Sequence, residues 1–126
     1  LPPPTVEVIV DLAHVHPLAL RTLLASRQCA DVSECVSREE GGHWFSFTKF
    51  HPGVSLSGKT AVLPGTDKLA GSCNSQLDAF YSLISTLRYP LAEAVATLSE
   101  TPARVAGLDH VGALQVGKRA DLLLFN

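Results

Sequence analysis

Three groups of residues have types and spacings that suit chemistry. His14-Val15-His16 directly follows an apolar, β-branched run. If that run is a parallel strand, the pair stands at its carboxyl end, where an α/β protein carries its active site. Histidines two apart there can turn both imidazoles into one cavity. The spacing leaves three readings open: a metal-binding His-x-His, one substrate-contacting histidine, or a solvated turn with a packed or capping histidine. The second group is Gly65-Thr66-Asp67-Lys68-Leu69-Ala70-Gly71-Ser72, a glycine-containing turn just before a helix pattern. Backbone N–H groups at such a junction suit an anion or polar substrate atoms; an ordinary capped loop looks the same, and the lysine spacing is not that of a P-loop. The third group is the carboxylates Asp31, Glu34, Glu39 and Glu40. Each has the chemistry of a general acid or base, with solvated loop charge the plainer reading of Glu39 and Glu40. His43, His51 and His110 read as surface loop residues.

The elements that must position these groups follow from pattern. Residues 6–10, Val-Glu-Val-Ile-Val, read as a buried parallel strand, with Pro4 stopping any helix before them. Pro17 opens a helix with Leu20, Leu23 and Leu24 on one face. Residues 6–26 thus form one βα unit, and a short strand is expected around residues 30–36. Trp44, Phe45, Phe47 and Phe50 make a core or interface patch, since only Lys49 interleaves with them and a base-stacking platform needs more cations. Residues 54–56 and 60–63 suggest a hairpin turning at Ser57-Gly58 and ending at Pro64-Gly65. Residues 75–88 read as a helix with Leu77, Phe80, Tyr81, Ile84 and Leu87 on one stripe and a Ser75/Asp78 capping box. A second helix follows Pro90, with Leu91, Val95 and Leu98 inward. A third opens at Thr101-Pro102 and closes at Gly107. Residues 113–116 and 120–125 are expected as two short antiparallel strands about a Gly117-Lys118 turn.

Composition narrows the function classes. The 126 residues suit one domain, and they are 46% hydrophobic and 17% charged with a net charge of −2. No Lys/Arg run exists, which argues against a nucleic-acid groove and against a polybasic membrane anchor. No apolar run approaches the roughly 20 residues of a spanning helix. Three cysteines without metal spacing, Cys29, Cys35 and Cys73, favour thiols in a reducing compartment. The chain opens on Leu1 and enters an apolar strand within a few residues, so an upstream part is expected.

In their order, these pieces resemble the C-terminal third of N-acetylglucosamine-6-phosphate deacetylases, within the metal-dependent amidohydrolases. The run from Val6 to Arg21 is similar to that family's strand, Asp-Gly-x-His-x-x-Pro and helix. Gly65 to Ser72 is similar to its Gly-Thr/Asp-x-x-Leu-Ala-Gly-Ser loop, and Thr101-Pro102-Ala103-Arg104 with Gly107-Leu108 to its Asn-Pro-Ala-Arg…Gly-Leu segment. Gly112 to Leu122 resembles the Gly-x-Leu-x-x-Gly-x-x-Ala-Asp-Leu close of amidohydrolases generally. Two departures stand out. Leu12 and Ala13 replace the glycines expected before His14. Val32-Ser33-Glu34-Cys35 stands where the family has Val-Thr/Ser-Asp-Ala, with Glu for the acid/base Asp and Asp31 the alternative if the register slips.

The resemblance implies an α/β fold: the last βα units of a TIM-type (β/α)8 barrel over residues 1–108, with a hairpin insert at about 43–64. Residues 109–126 would be C-terminal strands of a small β-sandwich. It implies a cytoplasmic, homodimeric hydrolase that removes the acetyl group of an amino-sugar phosphate. Its divalent, zinc-type metal would be held by ligands upstream of this chain, with no ligand carried over here. Glu34 would be the catalytic acid/base, His14 a substrate contact, and Leu69, Ala70, Gly71 and Ser72 the sugar-pocket lining. The late-strand position makes His14 a substrate contact and releases His16 from metal binding. Two other classes stay in view: a degenerate non-catalytic homologue serving as a structural or interaction domain, and another amidohydrolase of the dihydroorotase-like type, against which the Leu-Ala-Gly-Ser loop speaks.

Overall fold

The computed structural model describes residues 4–26, 28–34 and 54–125. Cys35, Glu39, Glu40, His43, the aromatic run at 44–50 and His51 lie outside the described residues. The element order is β1 (Val6–Val8), α1 (Pro17–Ser26), β2 (Cys29–Asp31), β3 (Ser55–Ser57), β4 (Thr60–Val62), β5 (Leu69–Ser72), α2 (Gln76–Tyr81), a π-helical segment (Ser82–Thr86), α3 (Leu91–Leu98) and α4 (Glu100–Val105).

The expected βα unit is present, with β1 at Val6–Val8 shorter than the run at 6–10, and β2 at Cys29–Asp31 overlaps only the start of the strand expected around 30–36. The strands pair in parallel, Val6 opposite Cys29 and Val8 opposite Asp31. The ladder extends from Gln28 C=O, which accepts from Val6 N–H, to Val8 C=O, which accepts from Val32 N–H, both at 2.9 Å. α1 begins at Pro17, where a missing N–H costs no helical bond. Its Leu20 and Leu24 are buried, joining Val8, Val10, Cys29, Ala79, Leu83, Leu87 and Ala94 in one core. A fully buried leucine such as Leu20 or Leu83 contributes roughly 1.5–3 kcal/mol by area removed from water.

The second sheet has order β3-β4-β5, antiparallel throughout. Ser57 pairs with Thr60, so the hairpin turns on Gly58-Lys59, with Gly58 at φ +63°. Residues 69–72 correct the sequence reading: they form β5, not a loop. Thr60 pairs with Ser72, Ala61 with Gly71 and Val62 with Leu69, and the register breaks at Ala70. Pairing with β4 takes up ladder groups that the loop reading had left for a ligand.

α2 carries the capping box read from Ser75 and Asp78. Ser75 Oγ accepts from Asp78 N–H at 3.2 Å, and Asp78 Oδ2 accepts from Ser75 N–H at 2.9 Å. The inward faces differ from those expected. Ala79, Leu83 and Leu87 are buried, whereas Leu77 and Tyr81 are exposed; in α3, Ala94 and Thr97 are buried while Leu91 and Val95 are exposed. α3 and α4 both pack on β2. α4 closes in the Schellman pattern foreseen at Gly107. Leu108 N–H donates to Ala103 C=O at 2.8 Å and Gly107 N–H to Arg104 C=O at 3.2 Å.

The C-terminal stretch is the other correction. No strand forms among residues 113–125, and a barrel or sandwich is not closed among the described residues. The Gly117 turn is present, with Gln115 C=O accepting from Lys118 N–H at 3.0 Å. The stretch then runs without regular secondary structure, and Phe125 stacks on Phe80 with ring centroids 5.4 Å apart. Val116, Leu123 and Leu124 are exposed. A two-stranded ribbon is marginal by itself, and among the described residues no further strand lies beside it.

Candidate active site

The carboxyl ends of β1 and β2 open onto one narrow cleft. Its lining includes Val10 and Asp11 after β1, Asp31 to Glu34 at the end of β2, Ser72 and Asn74 around the end of β5, and Gln76 at the start of α2. The free space is about 10 Å³, room for roughly one water molecule.

Asp31 is the most enclosed carboxyl there, 6% exposed. Its Oδ1 accepts from Val10 N–H at 2.9 Å. Burial pushes its pKa up to about 6; hydrogen bonds from Val10 and Gln76 pull against that rise, and the charge of Asp11 adds to it. Glu34 lines the same cleft but is exposed. Its main-chain carbonyl accepts from Ser72 N–H at 2.9 Å, which joins β5 to the segment after β2.

Asp11 and His14 form the second half of the site. Asp11 Oδ1 accepts from the main-chain N–H groups of Ala13 and His14, both at 3.0 Å, and Oδ2 lies 2.6 Å from His14 Nδ1. Burial raises the Asp11 carboxyl, but the bonds from His14 and Ala13 outweigh it, and its pKa lies below the ordinary value. Between the two residues, Leu12 takes φ +62°. That is the left-handed region, where a Cβ is unfavourable, and it accounts for the glycine that the sequence motif leads one to expect there. Asn74 Nδ2 donates to Asp11 C=O at 3.2 Å, fastening the end of the second sheet to this turn.

Of the residues read from sequence, Glu34 and Ser72 line the cleft, and His14 borders it through Asp11. Gly71 is buried, Ala70 half-buried and Leu69 exposed; none of the three lines the cleft. His16 is exposed, its Nδ1 accepting from Leu18 N–H at 3.2 Å, a helix-start contact. Asp11, Asn74 and Gln76 were not singled out by sequence. For Asp11 a signal existed, an Asp three residues before a His at a strand end. Asn74 and Gln76 gave none.

The match to the family model covers residues 48–126 and is to the amidohydrolase family. The chain belongs to the amidohydrolase family. This amidohydrolase chain is 30% identical over 122 residues to an N-acetylglucosamine-6-phosphate deacetylase of Vibrio furnissii and 27% identical over 125 residues to one of Caenorhabditis elegans. Each alignment takes in 94% of this chain but 30% and 29% of the relative, so the chain spans about 30% of the length of the curated relatives it matches. Among solved structures, the deacetylase of Pasteurella multocida superposes with a TM-score of 0.72 at 20% identity, over 90% of this chain and 30% of that one. The Mycobacterium smegmatis deacetylase gives 0.71 at 26% identity, over 92% and 32%. A point mutant of that enzyme in complex with N-acetyl-D-glucosamine-6-phosphate gives 0.69 at 26% identity, over 92% and 32%.

The family is typically metal-dependent. Among the described residues, no three His, Cys, Asp or Glu side chains converge to hold a metal ion. No helix among them is long and apolar enough to cross a membrane.

Proposed function

We propose that the natural protein carrying this chain hydrolyses the acetamido group of N-acetylglucosamine 6-phosphate, releasing acetate and the free amine. The observation that carries this reading is the cleft, where carboxylates from the end of β2 stand with Asp11 from the end of β1, and Asp11 is hydrogen-bonded to His14. Catalytic groups gathered from the ends of neighbouring parallel strands are what such a fold supplies. The named relatives support the substrate assignment, one of them a structure with that sugar phosphate bound. The described residues do not fit the divalent metal that the resemblance implies, and the chemistry proposed here is that of this chain's own side chains.

In this reading a water attacks the amide carbonyl carbon, and a carboxylate takes its proton. As the C–N bond breaks, the carboxylic acid returns that proton to the leaving nitrogen. Glu34 holds the motif position for this role. His14 contacts the sugar, and Ser72 lines the pocket beside Glu34.

A second reading gives the proton transfer to Asp31, and a specific observation favours it. Its pKa is pushed up to about 6 within the cleft, and a general base works best with a pKa near the operating pH. The test is acetate release from N-acetylglucosamine 6-phosphate by the natural protein and its Glu34→Gln and Asp31→Asn variants. The first reading expects Glu34→Gln to lose at least about 10²-fold in kcat, the lower range of general acid–base contributions, with folding intact. Loss confined to Asp31→Asn moves the role to Asp31. No acetate from the unaltered protein overturns the function itself.

A further inference from the structure

The Asp11–His14 pair is more constrained than a substrate contact requires. The Asp11 side chain is 3% exposed and the His14 side chain 20%. Both carboxylate oxygens are committed: Oδ1 to two main-chain N–H groups, Oδ2 to the imidazole at 2.6 Å. The main chain of Asp11 is in turn fastened by Asn74. The backbone between the pair is held at φ +62° on a leucine, a conformation that persists only where its surroundings over-determine it. Among the described residues, His14 Nε2 has no hydrogen-bond partner.

An ionised carboxylate only accepts. At 2.6 Å from Asp11 Oδ2, Nδ1 of His14 must therefore carry the hydrogen. A neutral imidazole with its hydrogen on Nδ1 presents a lone pair at Nε2. We infer that Asp11 is a positioning residue that fixes His14 as the Nδ1–H tautomer, making Nε2 a hydrogen-bond acceptor for a substrate hydroxyl. The substrate half of this inference rests on the deacetylase reading above. A sugar hydroxyl pairs with an imidazole in either tautomer; this one has the hydroxyl donate to Nε2, whereas the opposite tautomer would have Nε2–H donate and would take carbonyl or phosphate oxygens as well.

Asp11→Asn is the informative change. Asn can keep Oδ1 for Ala13 N–H and His14 N–H and place its NH2 where Oδ2 faced the ring. A donor at that point requires an acceptor at Nδ1, so the hydrogen moves to Nε2. Nitrogen-15 NMR of histidine-labelled chain reads this directly. In the native chain with a neutral imidazole, Nδ1 of His14 is expected to resonate as a protonated nitrogen and Nε2 as an unprotonated one. In Asp11→Asn the two exchange character. A native chain with the hydrogen on Nε2 overturns the inference, and that spectrum needs no variant to fold. An unchanged tautomer in a folded Asp11→Asn overturns it equally.

Kinetics of the natural protein on N-acetylglucosamine 6-phosphate test the substrate half. Asp11→Asn is expected to lower kcat/KM by roughly 10-fold, the order of one lost hydrogen bond. The double variant Asp11→Asn/His14→Ala should be no worse than His14→Ala alone, because Asp11 acts through His14. Fully additive losses overturn that route. If the tautomer exchanges as expected but His14→Ala keeps full activity, the substrate contact in the deacetylase reading fails while the tautomer assignment stands.

Discussion

The main-chain N–H of Val10 donates to the carboxylate of Asp31 at 2.9 Å, so the end of one parallel strand is tied to the next by a buried acid. In the unfolded chain this acid titrates near 3.8; in the folded chain its pKa is about 6. The folded state binds the proton more tightly, so the stabilisation is fully present below about pH 3.8 and is lost as the pH rises through about 6. The shift corresponds to an upper figure of about 3 kcal/mol. Denaturation of the chain between pH 4 and 7 should show stability falling over this window. Asp31→Asn, which keeps an acceptor for Val10 N–H, should flatten it. A stability that rises with pH there in the native chain and is unaffected by Asp31→Asn would contradict this placement.

Asp78 predicts the opposite dependence. The Lys59 ammonium hydrogen-bonds its carboxylate, and Ser75 adds main-chain and hydroxyl bonds, which hold the pKa down to about 2. Its contribution is present above the ordinary value of 3.8 and is lost as the pH falls through about 2. The Ser75→Ala variant removes the cap of α2 and should cost about 1 kcal/mol, measured by urea denaturation at neutral pH. Lys59→Met should make acid unfolding begin at higher pH, since the largest cause of the lowered pKa is gone.

The parts of this fold legible in the sequence are those set by local chemistry. Pro17, the start of the β-branched run at 6–10, the Gly58 turn, the Ser75/Asp78 box and the Gly107 closure all act within a few residues, and the structure has each of them, with the strand ending at Val8. Periodicity found the apolar stripes of α2 and α3 but not which face is buried. Ala94 and Thr97 are the buried residues of α3, and both are smaller than the Leu91 and Val95 that hydropathy would turn inward. Leu69-Ala70-Gly71-Ser72 has no β-branched residue, and only pairing with β4 makes it a strand. The site divides in the same way. His14 and Glu34 were visible from strand-end position and motif. Asn74 reaches Asp11 across 63 residues of chain, and no spacing rule anticipates that.

Leu12 supplies a prediction that separates backbone from side chain. It sits at φ +62° and also packs against the core. Leu12→Ala and Leu12→Gly both remove the packing, but only glycine relieves the left-handed strain, which costs roughly 1–2 kcal/mol for a residue with a Cβ. The glycine variant should therefore be the more stable of the two by about 1 kcal/mol despite glycine's greater chain entropy. Paired urea titrations measure the difference. An alanine variant as stable as the glycine one would mean that the turn relaxes out of this conformation.

Gly112 is the position where a single methyl group should do most damage. It has φ +86°, and a Cβ there would lie 2.7 Å from the Ala103 Cβ and 3.0 Å from the Ser99 carbonyl oxygen. Two independent costs then add: the left-handed backbone, roughly 1–2 kcal/mol, and overpacking, typically about 1–3 kcal/mol. One of the clashing atoms is main chain at the start of α4, which cannot swing away as a long side chain would. Gly112→Ala should accordingly lower stability by about 2 kcal/mol or more and loosen the segment after α4, read as faster amide exchange at Leu108 and Val111. Ala103→Gly added to it removes the nearest clash but not the backbone strain or the Ser99 contact. The double variant should recover only the part of the loss that comes from the Ala103 contact, after allowing for the cost of Ala103→Gly alone. Full recovery would assign the whole effect to side-chain overlap, and a neutral Gly112→Ala would show that the segment after α4 does not lie against it in solution.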